Sequence, residues 1–498
     1  MPLILDSSSE SSINSQPEFL EERRRLHHDA DVVIVGAGVL GSVLAVALAN
    51  QGRSVILLER SLKEPDRIVG ELLQPGGVQA LTKLGLGHCL DDIDAVPVKG
   101  YGVIFHGEQV HIPYPANTAR SQSGPQATEK APRPSAVEGR SFHHGRFVSR
   151  LRAAALAHPN ISVFETEVTS VITSTHVSQV LGVESLTRKS DRDYFFGALT
   201  VICDGYASKF RKPYMQHTPT SESKFWALEL IDCALPFPEH GHVLLSDEAA
   251  PVLLYQIGQH ETRALVAIAN DTPTASVAAG GVKAHIQNVV LPSLPASVQP
   301  SFKAAIEKGS LRSMPNSFLP SSTNRTPGLA VLGDALNMRH PLTGGGMTVA
   351  FNDAVVLTEL LSPEAVPDLS DTDLVLRQFH TFHWRRKYLA AVINILAQAL
   401  YTLFAADDWQ LKYLQRGCFQ YFRLGGNCVD GPVRLLAALT PQPLVLFYHF
   451  FAVAVLSIWV LITENGLWRL PLSLVQSVLV LWKSCVVIFP YIFAEFRS

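Results

Sequence analysis

The rhythm of apolar and polar positions changes several times along this chain of 498 residues. Val32 to Val35 is a continuous β-branched run of the kind that forms a buried strand. Gly36, Gly38 and Gly41 follow at once, and an alanine-rich segment from Ser42 to Ala49 predicts a helix ended by Gly52. Val55 to Leu58 reads as a second strand, closed by Glu59. After Pro75-Gly76-Gly77, the spacing of Val78, Leu81 and Leu84 starts a helix that Gly85 or Gly87 ends. Residues 98–114 alternate loosely, as strands of a different sheet would. A helix is expected after Ser141, then strands over 161–174 and 193–204, a β-rich stretch over 223–268, and helical spacing over 282–308 up to Gly309.

Beyond Gly309 the pattern changes again. A strand over Leu329 to Leu332 runs into Gly333-Asp334, then His340-Pro341 and Gly344-Gly345-Gly346, with a helix from Met347. Residues 388–405 are nearly uncharged, and Leu444 to Ile462 holds no Asp, Glu, Lys or Arg, which meets the length of a membrane span. In Leu472 to Ala494 the polar residues Ser473, Gln476, Ser477, Lys483 and Ser484 fall mainly on one helical stripe. That stripe predicts a helix lying in the membrane surface rather than crossing it, against a buried C-terminal hairpin as the alternative.

Composition agrees with a localised apolar excess. Mean hydropathy is +0.17 and 17% of residues are charged, where soluble domains carry about 25%. A net charge of -3 argues against nucleic acid as a partner. Six scattered cysteines without metal spacing predict reduced thiols on a cytosolic face. Residues 1–30 are polar, hold no signal-peptide core and read as a disordered leader; 116–139, rich in Ser, Pro, Ala and Gly, reads as a flexible insert.

The glycine signals carry the candidate chemistry. Gly36 allows a tight turn, Gly38 lets a pyrophosphate approach, Gly41 lets helix and strand pack closely, and the helix N-terminus offers N–H groups to phosphates. Glu59, about 20 residues on, suits ribose hydroxyls. The unit predicts a dinucleotide site but leaves FAD and a nicotinamide nucleotide equally open. Gly344 to Gly346 form a second nest of N–H groups for an anion or an electron-rich ring edge, and Asp334 suits sugar or ribityl hydroxyls. Arg67 can meet a phosphate or solvent, Arg152 a cofactor or solvent, and Asp204-Gly205 a ligand or an ordinary turn. His143-His144 lack partners at ligand spacing, which favours packing or hydrogen bonding over a metal.

The strings GAGVLGS, LKEPDRIVGELLQPGG, FHHGRF, DGYASKFRK, LRSMPNSFLP, GDALNMRHPLTGGGMTVAFNDAVVL, NILAQALY and PQPLVLFYHFFAVAV together resemble the squalene epoxidase (squalene monooxygenase) family of flavoprotein hydroxylases, from Asp31 to the C-terminus. The resemblance implies an α/β fold: a Rossmann-type FAD-binding domain interleaved with a β-rich substrate domain, plus a C-terminal helical membrane-associated region. FAD-binding parts are expected at 31–115, 140–215 and 311–365, the substrate domain at 216–310, a helical region at 366–440 and membrane-associated helices at 441–498. It implies FAD contacts at Val39, Leu40, Glu59, Arg60, Arg67, Arg152, Val168, Asp334 and Met347, beside the glycine sites Gly36, Gly38, Gly41 and Gly345 and the candidate Asp204. Tyr101 and Gln74 match the polar pair near flavin and substrate, the candidate catalytic residues, and Tyr255 matches a pocket-wall tyrosine. The implied reaction is epoxidation of squalene by O2 through a flavin hydroperoxide, in sterol synthesis. With one dinucleotide fingerprint visible, an NADPH-cytochrome reductase is the implied electron donor. The implied location is the cytosolic face of the endoplasmic reticulum membrane, among membrane lipid, with lipid droplets as a second location.

Overall fold

A computed structural model describes residues 28–115, 137–187, 191–246 and 250–496. Most of the expected leader and insert, residues 1–27 and 116–136, lies outside the described residues. The chain opens with β1 (Asp29–Val35), α1 (Val39–Ala49) and β2 (Val55–Glu59), the strand–helix–strand unit that the apolar pattern predicts. There follow β3 (Leu72–Leu73), α2 (Pro75–Lys83), β4 (Val96–Val98), β5 (Gly100–Phe105), β6 (Glu108–Pro113), β7 (Gly139–Ser141) and α3 (His144–Leu156). Next come β8 (Ile161–Glu165), β9 (Glu167–Thr173), β10 (Val180–Leu186) and β11 (Arg192–Ile202). Strands β12 (Thr220–Ile231), β13 (Gly241–Leu245), β14 (Val252–Gln256) and β15 (Glu261–Ala269) precede helix α4 (Gln299–Lys308).

Five parallel strands in the order β8, β2, β1, β11 and β17 (Leu329–Val331) form the dinucleotide-type sheet. The long strand β11 pairs antiparallel with β10 through its first half and parallel with β17 through its second. Strands β1 and β2 are buried almost throughout, because helices cover the sheet, and their side chains are accordingly apolar at successive positions. The second sheet, in the order β16 (Arg312–Phe318), β12, β15, β14, β13, β5, β6, is antiparallel except where β13 meets β5. Residues 100–113 and 312–318 therefore hydrogen-bond into this sheet, and the boundaries expected at 115 and 311 shift accordingly. Its alternation is legible in β5: Val103 and Phe105 face the C-terminal helices, while Ile104 faces the core built on Phe302 of α4.

The long helices after α4 are α5 (Gly346–Leu360), α6 (Thr372–Ala405), α7 (Trp409–Arg423), α8 (Asn427–Leu436), α9 (Pro443–Asn465) and α10 (Leu470–Phe496). Helix α9 crosses α7 where Gly417 meets Ser457; a Cβ on Gly417 would stand 1.9 Å from the Ser457 hydroxyl oxygen. Helices α6, α9 and α10 are long and apolar enough to cross a membrane, although more than half of the apolar stretch of α6 is buried in protein.

The polar stripe of α10 has the opposite meaning to the one its pattern suggests. Ser473, Ser477 and Ser484 are buried against neighbouring helices, Gln476 accepts a hydrogen bond from Asn465, and Lys483 pairs with Asp408 at 2.5 Å. Small hydroxyl residues satisfy themselves on the preceding turn, Ser477 on Ser473 and Ser484 on Val480, and so permit close helix contact. The outward face is apolar: Leu474, Val475, Val478 and Trp482 on α10 continue Val455 and Trp459 on α9. An unbroken apolar face of this kind marks an interaction or membrane site. Val475→Glu combined with Val478→Glu should lower the membrane-pelleted fraction of the protein severalfold without unfolding it. Fractionation after a high-salt wash checks this, and an unchanged pellet would put the membrane contact elsewhere.

Candidate active site

The end of β1 turns sharply at Gly36, whose φ of +102° and whose virtual Cβ, 2.6 Å from the Cys203 carbonyl oxygen, exclude a side chain. A Cβ on Gly41 would fall 1.9 Å from the Gly36 carbonyl oxygen, so α1 can seat on the strand end only with glycine there. Gly38 is different: nothing lies within 4 Å of where its Cβ would be. It opens onto a cleft, and Val39 and Leu40 line the same wall.

Glu59 and Arg152 brace this turn from behind. The Glu59 carboxylate accepts from the Ala37 N–H at 2.9 Å and the Ser61 N–H at 3.2 Å. The Arg152 guanidinium donates to the carbonyls of Ala37 (2.7 Å), Ser61 (3.1 Å) and Lys63 (3.0 Å), and lies 3.4 Å from Glu59. Burial lowers the Arg152 pKa, against the pull of Glu59 and Glu165.

The cleft runs from this helix N-terminus to a second one, at α5, and holds about 1480 Å³ of space free of protein atoms, its mouth included. It brings together Gly38, Val39, Leu40, Arg67, Tyr101, Tyr255, Asp334 and Met347 of the expected site residues. Gly36, Gly41, Glu59, Arg60, Arg152, Val168, Asp204 and Gly345 stand outside its lining. Among them, Arg60 is exposed and Val168 is buried in the sheet core. Gly345 answers to packing, since a Cβ there would meet Ile393 of α6 at 2.5 Å. Gly346 has nothing within 4 Å of its virtual Cβ and lines the cleft in its place. Asp204 accepts from the Lys209 N–H at 3.2 Å, and burial raises its pKa.

Gln74 lies wholly buried beneath the cleft. Its amide nitrogen donates to the Tyr101 hydroxyl and to the Thr343 carbonyl (2.6 Å), and its amide oxygen accepts from the Tyr114 hydroxyl at 2.6 Å. Desolvation raises the pKa of both tyrosines, so they stay protonated. Nothing in the local pattern singled out Tyr114, because its register on the sheet edge is a tertiary matter.

Two further groups were not legible in the chain's pattern. Glu71, nearly inaccessible, takes two hydrogen bonds of 2.8 Å from Arg263 of β15 and one of 3.3 Å from the Tyr255 hydroxyl. Burial alone would lower the Arg263 pKa, yet the Glu71 carboxylate holds it above its ordinary value. Arg211 ties two strand-end loops together by donating to Tyr206 O (2.9 Å), Gly205 O (3.3 Å), Asp334 O (3.1 Å) and Ala335 O (2.7 Å). Its place in the DGYASKFRK string was the available signal.

The far wall of the cleft is apolar, with Val243, Leu253, Leu265 and Met314. A smaller chamber shares Tyr101, Val243, Leu342 and Thr343 with it and extends among Leu400, Phe404, Phe422, Val433 and Leu436 of α6, α7 and α8. His144 donates from Nδ1 to Gly70 O (2.9 Å), in accord with a hydrogen-bonding role, and no metal-binding cluster exists among the described residues. All six cysteines are free thiols.

Two open helix N-termini facing one cleft, each beginning at a glycine with room beside it, fit a phosphate at one end and an electron-rich ring at the other. The fold recurs in solved structures. The chain matches a probable FAD-dependent monooxygenase, pqsL, from Pseudomonas aeruginosa with a TM-score of 0.61 and 19% identity, over 76% of this chain and 97% of that one. It matches p-nitrophenol 4-monooxygenase PnpA from Pseudomonas putida with a TM-score of 0.63 and 16% identity, over 83% and 98%. The fold is that of the flavin-dependent monooxygenases.

Sequence relatives narrow this to one family. The squalene epoxidase family model matches residues 196–475. The chain is 63% identical to squalene epoxidase erg1 of Aspergillus fumigatus over 475 residues, 95% of each chain. It is 39% identical to squalene epoxidase ERG1 of Saccharomyces cerevisiae over 503 aligned positions, 97% of this chain and 99% of that one. The chain belongs to the squalene epoxidase family and is an enzyme of that family.

Gly41→Ala should destabilise the protein by about 1–3 kcal/mol or prevent folding, since the added methyl meets backbone that cannot yield; denaturant titration measures it. Burial lowers the pKa of His144 and His242 to about 4 and of His340 to about 3. Their folded-state values lie below the unfolded value, so the unfolded chain binds more protons as pH falls. Stability from these groups should be complete above pH 6.5 and decline from there toward pH 3–4. His144→Gln should make that slope shallower in denaturation curves recorded across the range.

Proposed function

We propose that this enzyme epoxidises the terminal double bond of squalene with O2, yielding (S)-2,3-epoxysqualene for sterol synthesis, with FAD as its cofactor. The observation that carries the reading is the joining of the two-ended, N–H-lined cleft to an apolar chamber walled by the C-terminal helices, in a chain of this family. An all-hydrocarbon substrate resides in a bilayer, and the exposed apolar faces of α9 and α10 suit an enzyme that draws on one.

Bound flavin supplies the redox chemistry, activating O2 once it is reduced. Gly38 and the first turn of α1 would hold the pyrophosphate, and Asp334 would accept hydroxyls of the ribityl chain. The α5 N-terminus at Gly346 and Met347 would face the ring, where its partial positive charge favours the reduced form. Arg67, over the Tyr206 ring at 5.5 Å, adds a cation to the same cleft. Glu59 and Arg152 act through the backbone, by shaping the turn that presents Gly38. Gln74 holds the Tyr101 hydroxyl at the join of cleft and chamber. Tyr255 and the surrounding aliphatic side chains exclude water from the reacting centre.

An NADPH-cytochrome reductase completes the proposal as the electron donor, at the cytosolic face of the endoplasmic reticulum membrane. Purified protein supplied with FAD, such a reductase, NADPH, O2 and squalene should form the epoxide. NADPH consumption without epoxide would sink the substrate assignment, and product formation without O2 would sink the reaction class. Asp334→Ala should purify with a several-fold lower flavin content; a fully loaded variant would remove Asp334 from the cofactor site.

A further inference from the structure

Glu495 lies at the far end of the chain, one residue from the end of α10, yet it is only 3% exposed. An acidic side chain is seldom buried so deeply unless it is paired or hydrogen-bonded. Its carboxylate accepts from the Asn394 amide of α6 at 2.7 Å, and Lys387 of α6 donates to its main-chain carbonyl. Asn394 in turn donates to the amide oxygen of Asn337 at 3.2 Å.

That amide oxygen is a hub. It also accepts from Arg386 of α6 at 3.2 Å and from Arg339 at 2.7 Å, so donors from two elements converge on one atom of the loop that follows Asp334. Arg386 is fixed by a two-pronged ion pair with Asp353 of α5, at 2.9 and 2.7 Å. Asn337 is held by donating to Leu319 O at 2.7 Å. Arg339 leaves the hub to donate to the Gly346 carbonyl at the start of α5, at 3.3 Å, and lines the cleft itself. A hydrogen-bonded path thus runs from the last turn of α10 to the glycine-rich edge of the active site.

We propose that Glu495 is a positioning residue: the end of the last helix plugs a buried polar socket and, through Asn394 and Asn337, holds Arg339 and the loop 337–346 in the shape that receives the cofactor. The α9–α10 hairpin then has two separable duties. Its outward apolar face meets the lipid, and its final turn sets the cofactor loop from behind. Four atoms of this network, Glu495 Oε2, Asn394 Oδ1, Arg339 Nε and Arg386 Nη1, have no hydrogen-bond partner among the described residues, so the arrangement rests on the bonds named above. Removing one member leaves further groups unpaired in a dry interior.

The experiment uses the full-length chain with Glu495→Ala, Asn394→Ala and the double variant. Two readouts are taken: FAD affinity by fluorescence quenching, and amide hydrogen exchange of residues 337–346 in the FAD-free protein. Each single variant should weaken FAD binding about fivefold or more and speed loop exchange by a similar factor. The double variant should be no worse than the worse single, because both cut one path. Membrane pelleting should be unchanged in all three. The proposal is overturned if either single variant leaves both readouts within twofold of the parent, if the two effects multiply, or if pelleting is lost in parallel. Should Glu495→Ala fail to fold, Asn394→Ala decides alone, since it leaves α10 chemically intact. The affinity arm rests on the flavin reading above. A parent protein that bound no FAD would refute that reading while the exchange arm still tested the path.

Discussion

The contact of α1 with the end of β1 is the constraint from which the site follows. The Gly36 carbonyl occupies the space that any side chain on residue 41 would need, and Gly36 itself abuts the Cys203 carbonyl just beyond the end of β11. Because both approaches are backbone to backbone, the helix N-terminus is delivered to one place, above the carboxyl ends of β1 and β11. Strand β17 adds to the other edge of β11, away from β1, and brings Gly333-Asp334 to the same end of the sheet. Open parallel sheets hold ligands at such strand ends. The cleft is thus a consequence of close packing at two glycines, with Glu59 and Arg152 holding the connecting turn.

The polar groups around this cleft serve position more than stability. Glu71–Arg263 joins the residue just before β3 to β15, and Arg386–Asp353 joins α6 to α5. Buried ion pairs of this kind contribute little net stability over apolar replacements, since desolvation offsets most of their attraction. Each nonetheless fixes the register between elements that carry the cleft walls. Tyr255 is held by the first pair through its hydroxyl, and the loop at Asn337 by the second. An apolar pocket with a few buried, fully oriented polar groups is the expected form for a site that takes a large apolar substrate.

The C-terminal helices complete the enclosure. Helices α6, α7 and α8 close the apolar chamber next to Tyr101, so the helical region expected at 366–440 also walls the active site. The serine seam of α10 faces protein and its apolar face is exposed, the reverse of a soluble amphipathic helix. Such an arrangement leaves a continuous apolar surface on the helix pair that suits membrane association.

The strand–turn–helix unit from Val32 to Glu59, the β-rich middle and the apolar tail were determined by the sequence alone. Each is a local pattern: three glycines in register after an apolar run, period-two alternation, or a stretch without charge. The expected cleft residues on those motifs, Gly38 to Leu40 and Asp334 to Met347, were legible for the same reason. Only the tertiary structure decided the rest. It moved residues 100–113 and 312–318 into the second sheet, because strand pairing joins segments far apart in the chain. It gave Gly345 a packing role against Ile393 and turned the α10 stripe inward, since a helical stripe does not say which side the protein is on. It brought Glu71 to Arg263, Arg211 across two loops, and Glu495 to Asn394. Contacts of that kind, between residues separated by about a hundred positions or more, leave no periodic trace in a single chain.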